Sequence, residues 1–165
     1  MRYRDNPTVE VEQRVAGDPA AIWALVTDIT LPARVSSELQ EVVWLNGATG
    51  VEVGNRFQGK NRHESLGEWA TECVVVEVEP GRRWVWEVHG PDGVMARWGF
   101  EVDPGRNAVT VRQFARMGPA PSGLSIAIEA MPDKESRIIS HRLAEWRENI
   151  TANLVAIRDL IEQGD

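Results

Sequence analysis

The sequence predicts an α+β fold: a seven-stranded, twisted antiparallel sheet folded around a long C-terminal helix. Three observations carry that expectation. Apolar and polar residues alternate near the start of the chain and repeatedly between residues 39 and 117. Turn-forming Asn-Gly, Pro-Gly and Pro-Asp-Gly groups punctuate the same stretch. A single apolar stripe of helical period then runs from Ile139 to Ile161.

Taken in order, "TVEVEQRV" (residues 8–15) alternates with period two and reads as a strand with one buried face. In "GDPAAIWALVTD", Asp18 caps a helix, Pro19 suits its first turn, and Ile22, Trp23, Leu25 and Val26 give it an apolar face. "ITLPARVSSE" reads as a second short helix or turn. Six strand-like runs follow: "LQEVVWLN", "GNRFQGKNR", "GEWATECVVVEVE", "RRWVWEVHG", "GVMARWGFEVD" and "AVTVRQFARM". After the Pro/Gly-bounded segment 118–132, a helix is expected from about Asp133 to Ile161. Ile139, Leu143, Trp146, Ile150, Leu154, Ile157 and Ile161 form its buried stripe, with Arg142, Glu145 and Arg147 among the residues assigned to its wetted faces. No linker divides the chain, so one domain over residues 1–165 is expected, with its core between residues 8 and 161.

Composition narrows the function classes. Hydrophobic residues make up 42% and charged residues 26%, as in globular domains. The formal charge is −7, and the two small basic groups, Arg82-Arg83 and Arg56-Lys60-Arg62, are flanked by Glu79, Glu87, Glu52 and Glu64, which argues against a nucleic-acid partner. A lone cysteine, Cys73, lies within an apolar run, so neither an internal disulfide nor a multi-cysteine metal site is expected. The N-terminus has no apolar signal core and no stretch has the length of a membrane span, which makes a cytoplasmic protein the expectation.

The order of elements, together with "VEVEQRVAGDPAAIWALVTD", "VGNRFQGKNR", "GEWATECVVVEVEPGRRWVWEV" and the amphipathic C-terminal helix, resembles the START-like superfamily, also called SRPBCC or Bet v 1-like. Within it, the chain looks like the bacterial polyketide cyclase/dehydrase-like lipid-transport branch. The resemblance runs from about Thr8 to Ile161. It implies a helix-grip fold with a cavity between the curved sheet and the helix. It is less specific for activity, since members include ligand carriers, hydroxylase domains and aromatase/cyclases. The histidine-carboxylate iron site of the Rieske oxygenases in this superfamily has no counterpart here, and neither a metal nor a cofactor is expected.

Alternation sorts the strands into faces. Trp84, Trp86 and Val88 share the inner face, while Val85, Glu87 and His89 share the outer one. Ala96, Trp98, Phe100 and Val102 point inward, as do Val109, Val111, Gln113, Ala115 and Met117. Phe57 and Asn61 join them, with Trp69, Thr71, Cys73 and Val75 from the strand whose "VVV" run hides its phase. Phe57, Trp69, Trp86, Trp98 and Met117 are thus candidate walls of a ligand site, and Asn61, Thr71 and Gln113 its polar handles. Trp84, nearest the turn, is assigned to the core. In the competing arrangement these aromatics pack directly on Trp146 and Ile150, with no space between. In segment 118–132, Leu124, Ile128 and Met131 are candidate gate residues; the segment can equally be a helical turn tucked against the sheet or a self-association patch.

Acid/base groups are sparse on these faces. His89, His63 and His141 are each expected at solvated positions, although His63, at a hairpin, is within reach of a cavity mouth. Tyr3, the only tyrosine, is expected in a frayed terminus, and no arginine is expected on the inner wall. The leading expectation is therefore a protein that binds a small hydrophobic or aromatic metabolite. The alternatives are a polyketide cyclase/aromatase-like enzyme in the same cavity, with Asn61, His63 or Gln113 orienting a carbonyl, and an interaction module acting through the apolar 118–132 segment, with a homodimer as one possible assembly.

Overall fold

In a computed structural model, which describes residues 1–164, the seven strands form one antiparallel sheet around a long helix. The strands are β1 (Thr8–Val15), β2 (Leu39–Trp44), β3 (Arg56–His63), β4 (Gly67–Glu79), β5 (Arg83–Gly90), β6 (Gly93–Pro104) and β7 (Val109–Met117). Their spatial order is β1-β7-β6-β5-β4-β3-β2. Consecutive strands from β2 to β7 are therefore neighbours joined by turns, while β1 adds to the far side of β7. Helices α1 (Pro19–Val26) and α2 (Leu31–Val35) link β1 and β2, the two edges of the sheet.

Alternation placed the faces because each strand has one face against the core. Phe57, Cys73, Val75, Trp84, Ala96, Phe100, Val102, Val109, Val111, Gln113, Ala115 and Met117 are all buried. A bulge between Val75 and Glu77 resolves the "VVV" ambiguity: Val75 pairs with Trp86 and Val78 with Trp84, three residues apart on the same face. Further register shifts fall between Leu39 and Glu41 and between Val88 and His89. Such bulges bend strands and raise their twist, which curls the sheet towards the helix.

The long helix, α4 (Glu135–Glu162), begins after a 3-10 turn at Pro132–Lys134. Ile150, Leu154 and Ile157 are completely or almost completely buried, in one cluster with Val9, Val15, Ile22, Val26 and Val111. The second half of α4 thus closes directly on β1, β7 and α1. Helix α1 starts where expected, with the Ala21 N–H donating to Asp18 Oδ2 at 3.2 Å. Its last turn is tied to the sheet by the Trp84 indole, whose Nε1 donates to the Val26 carbonyl at 2.9 Å. That bond satisfies a carbonyl with no partner inside the helix.

One local expectation is corrected, at Tyr3, and two others are made more specific. Val85 points to the convex face yet is fully buried. Across the strands it lies in register with Gly99 and then Phe114. The Phe114 ring leans over Gly99, where an added Cβ would come within 2.6 Å of it, and the Arg83 guanidinium lies 5.1 Å from the ring centre. Tyr3 is not frayed: it opens a 3-10 turn (Tyr3–Asp5), its hydroxyl donates to the Ala120 carbonyl at 2.7 Å, and its N–H donates to Glu135 at 2.8 Å. Much of segment 118–132 is helical, forming α3 (Gly123–Ala130), with the Ser122 N–H donating to Ser125 Oγ at 3.0 Å. No helix among the described residues is long and apolar enough to cross a membrane.

Candidate functional site

The first half of α4 does not close on the sheet as the second half does. Between it and the concave face lies a cavity of about 740 Å³, with α3 along one side. That is within the range of small-molecule sites, roughly 300–1,000 Å³. A second depression of about 420 Å³ on the β2–β3 connection carries no aromatic residue and shares no lining residue with the first.

The wall is built from indoles. Trp86 and Trp98 are cross-strand partners whose rings lie nearly parallel, 13° apart, with centres 6.4 Å apart. Trp146 of α4 meets Trp98 at 4.9 Å from the other side. Trp84 is 4.5 Å from Trp86, and Phe57 is 6.0 Å from it, edge on. Trp84 has both roles: it is 2% exposed and anchored to α1, and one side of it borders the cavity. The close-packed arrangement therefore holds for the Ile150, Leu154 and Ile157 stripe of α4, and the open arrangement for the neighbouring stripe of Arg142, Trp146, Asn149 and Asn153.

Of the residues singled out from the sequence, Phe57, Asn61, Trp69, Thr71, Trp86 and Trp98 line the cavity. So do Gln113, Met117, Leu124 and Trp146. Ile150 is in the packed core and not on the wall. Ile128 and Met131 are also off the wall; α3 borders it through Leu124, Ile126, Ala127 and Ala130. His63 lies outside the lining as well, and it is not a solvated turn residue: its side chain is only 15% exposed.

Sequence reasoning missed two polar features. The first is Asn153, which is buried and donates through Nδ2 to Gln113 Oε1 at 3.0 Å, placing an amide pair on the cavity wall. The second is Arg142, assigned to a wetted face but buried on the wall. Its guanidinium donates to both carboxylate oxygens of Glu38 at 2.8 and 2.7 Å and to Glu145 at 3.0 Å, and lies 5.9 Å from the centre of the Trp146 ring. Both residues were legible in the spacing: Ile139, Arg142, Trp146, Asn149 and Asn153 follow one another at three or four residues, a second stripe beside the apolar one.

This network ties three elements together. Glu38 immediately precedes β2, Arg142 and Glu145 are on α4, and His63 ends β3. His63 Nε2 lies 2.7 Å from Glu145 Oε2, while Nδ1 accepts the Ser65 N–H at 3.0 Å. A nitrogen that accepts a backbone N–H carries no proton, so neutral His63 holds its proton on Nε2 and donates it to Glu145. Burial alone would lower the Arg142 pKa, but the bonds and charges of Glu38 and Glu145 outweigh it and raise the value further. Burial likewise pushes Glu145 up, and the bonds from His63 and Arg142 bring it below the ordinary carboxylate range.

Nucleophilic chemistry is disfavoured at the one thiol on the wall. Burial, opposed by the Thr71 bond and reinforced by the charge of Glu72, pushes Cys73 up to about 12. The Tyr3 hydroxyl, also on the wall, is occupied by Ala120. His141 is 78% exposed. Among the described residues, no group of three or more His, Cys, Asp or Glu side chains is placed to hold a metal ion.

Comparisons with solved structures give the same architecture. A polyketide-cyclase-like protein of Corynebacterium glutamicum, solved by NMR, is 25% identical with a TM-score of 0.63, over 92% of this chain and 88% of that one. The di-domain ARO/CYC StfQ from the steffimycin biosynthetic pathway is 16% identical with a TM-score of 0.70 over 97% of this chain, which spans 53% of StfQ. Ara h 8.0201 is 9% identical with a TM-score of 0.58, over 92% of this chain and 97% of that one. At those identities the last two likenesses speak for the fold alone. A comparison with curated proteins finds no match. The family model described as polyketide cyclase / dehydrase and lipid transport matches residues 6–147, from the start of β1 through the cavity wall to Trp146, and the chain belongs to that family.

Proposed function

We propose that the protein binds a small hydrophobic or aromatic molecule, lipid-like or polyketide-like, in the cavity between the sheet and α4. One observation carries this reading: a space of about 740 Å³ is walled by Phe57, Trp69, Trp84, Trp86, Trp98 and Trp146 with few polar groups between them. Leaving such a surface unfilled sacrifices the contacts that close packing would provide, and an apolar ligand restores them. The groups best suited to acid/base or nucleophilic work are already engaged: Arg142 by two carboxylates, Tyr3 by Ala120, His63 by Glu145, and Cys73 by its burial. That favours a carrier or receptor over an enzyme.

The ARO/CYC name of StfQ, a protein of the same fold, motivates a second reading, in which Asn61 and Gln113 orient a polyketide carbonyl for cyclisation. One experiment separates the two. Native mass spectrometry of protein purified from cells is combined with tryptophan fluorescence during titration with fatty acids, sterols and polycyclic aromatics, and the mixture is assayed for new products. Binding predicts a saturable spectral change, lost in Trp98→Ala, with the ligand recovered unaltered. A product that disappears in Gln113→Ala would establish the second reading, and silence across the panel with an intact fold would overturn both.

A further inference from the structure

We infer that the ligand is a neutral molecule carrying a hydroxyl group, and that the hydroxyl is held between Gln113 and Asn153. This rests on the cavity being a ligand site and narrows the chemical class of the ligand. Gln113 is 2% exposed and Asn153 5% exposed, and both lie on the cavity wall. The bond between them uses the Gln113 oxygen and the Asn153 nitrogen. Each side-chain amide also has a second functional end. The Asn153 carbonyl oxygen is buried with no partner. Turning both amides end for end would still leave one acceptor and one donor. One unpaired acceptor and one free donor on adjoining wall residues suit a group that both donates and accepts. A hydroxyl does so. An ether or carbonyl oxygen accepts only, and leaves the acceptor of the pair buried and unpaired.

Charge excludes the acidic lipids. The formal charges on the wall are those of Asp28, Glu38 and Arg142. Arg142 is matched by Glu38 and Glu145 together, so the only cation on the wall is already outnumbered. Asp28 is held by Thr30 and Arg34. A ligand carboxylate would enter a space with no free cation and pay its desolvation uncompensated. Arg142 and Asn153 are eleven residues apart on α4 and so separated by roughly 16 Å along the helix axis, with Trp146 and Asn149 between them. The ligand lies along this length, its hydroxyl at the Asn153 end and its apolar body against the indoles.

The test is a calorimetric titration of the full chain with phenanthrene, 9-phenanthrol, 9-methoxyphenanthrene and phenanthrene-9-carboxylate, repeated with the near-isosteric variant Asn153→Leu. The expected result is that the phenol binds about tenfold more tightly than its methyl ether, as one additional satisfied hydrogen-bonding group implies, and that the carboxylate binds most weakly. In Asn153→Leu the phenol and ether become equal while phenanthrene binds as before. If Asn153→Leu does not fold, the wild-type ranking decides alone. Equal affinities across the series, tightest binding by the carboxylate, or a phenol preference that survives in Asn153→Leu would overturn the inference and leave the cavity reading intact. No binding by any of the four would overturn the cavity reading and the inference with it.

Discussion

Replacing Arg142 with methionine removes a buried cation and leaves its carboxylates behind. Arg142 and Glu38 have side chains only 10% and 13% exposed and are joined by two bonds of 2.7 and 2.8 Å. Glu145 is 28% exposed and keeps His63 as a partner, so most of the loss falls on Glu38. Removing one member of a buried pair costs about 3–5 kcal/mol, chiefly because the other charge is stranded. For a chain of this size that corresponds to a drop of about 6–20 °C in Tm. Urea denaturation at pH 7 measures it directly. The stranded Glu38 carboxylate stays buried without its cation, which is where the penalty arises. The double variant Glu38→Gln/Arg142→Met should regain much of the loss. A deficit below about 1 kcal/mol at pH 7, the size of a surface ion pair, or a double variant no more stable than the single one, would refute the claim that the network is a buried tie.

Three further outcomes follow from other parts of the molecule. Gly99→Ala drives a Cβ to within 2.6 Å of the Phe114 ring and 3.0 Å of the Trp84 carbonyl oxygen, which should cost about 1–3 kcal/mol by denaturation, with ligand titrations unchanged because the crowding is on the convex face. With its thiol pushed up to about 12, Cys73 should resist an aromatic disulfide reagent at pH 8 in the folded protein and react promptly in urea; rapid labelling of the native state would contradict its burial. Because the folded pKa of Glu145 is lowered, its contribution to stability is present above its unfolded value of about 4.3 and is lost as pH falls through the folded value. Glu145→Gln should therefore show a flatter stability curve than wild type between about pH 5 and pH 3.

The strands were legible because each has one wet and one dry face, so a period of two in residue type reports the inside directly, from Phe57 to Met117. The apolar stripe of α4 was legible for the same reason at a period of 3.6. Polar residues on the inner wall defeat this logic. The type of Arg142 points to a wetted face and Asn153 carries no signal of its own, although their spacing from Ile139 and Trp146 puts both beside the buried stripe. Their burial depends on partners remote in sequence, Glu38 and Gln113, which no local pattern encodes. Val85 lies on the outer face as alternation predicts, but its burial there has a related remote origin: its cover comes from Phe114 two strands away, across a glycine. Tyr3 is fixed by Ala120 and Glu135, again beyond any local window. At eight residues, α3 is too short for its period to stand out from a loop.

The pairing of β1 with β7 also sets the sequence of events during synthesis. Thr8 lies opposite Arg116, and the Tyr3 hydroxyl reaches Ala120, 117 residues further along the chain. The first strand leaves the ribosome long before its partner exists, and its apolar face, with Val9 and Val15, remains uncovered until β7 and then α4 emerge. Contacts of such separation are formed late and slowly, and the exposed interval favours aggregation. The hairpins from β2 to β7 can assemble one after another, but the pocket has no closed wall until α4 has been made. The cavity therefore takes shape only once α4 has been made, and a chain truncated before Trp146 should lack one of its walls.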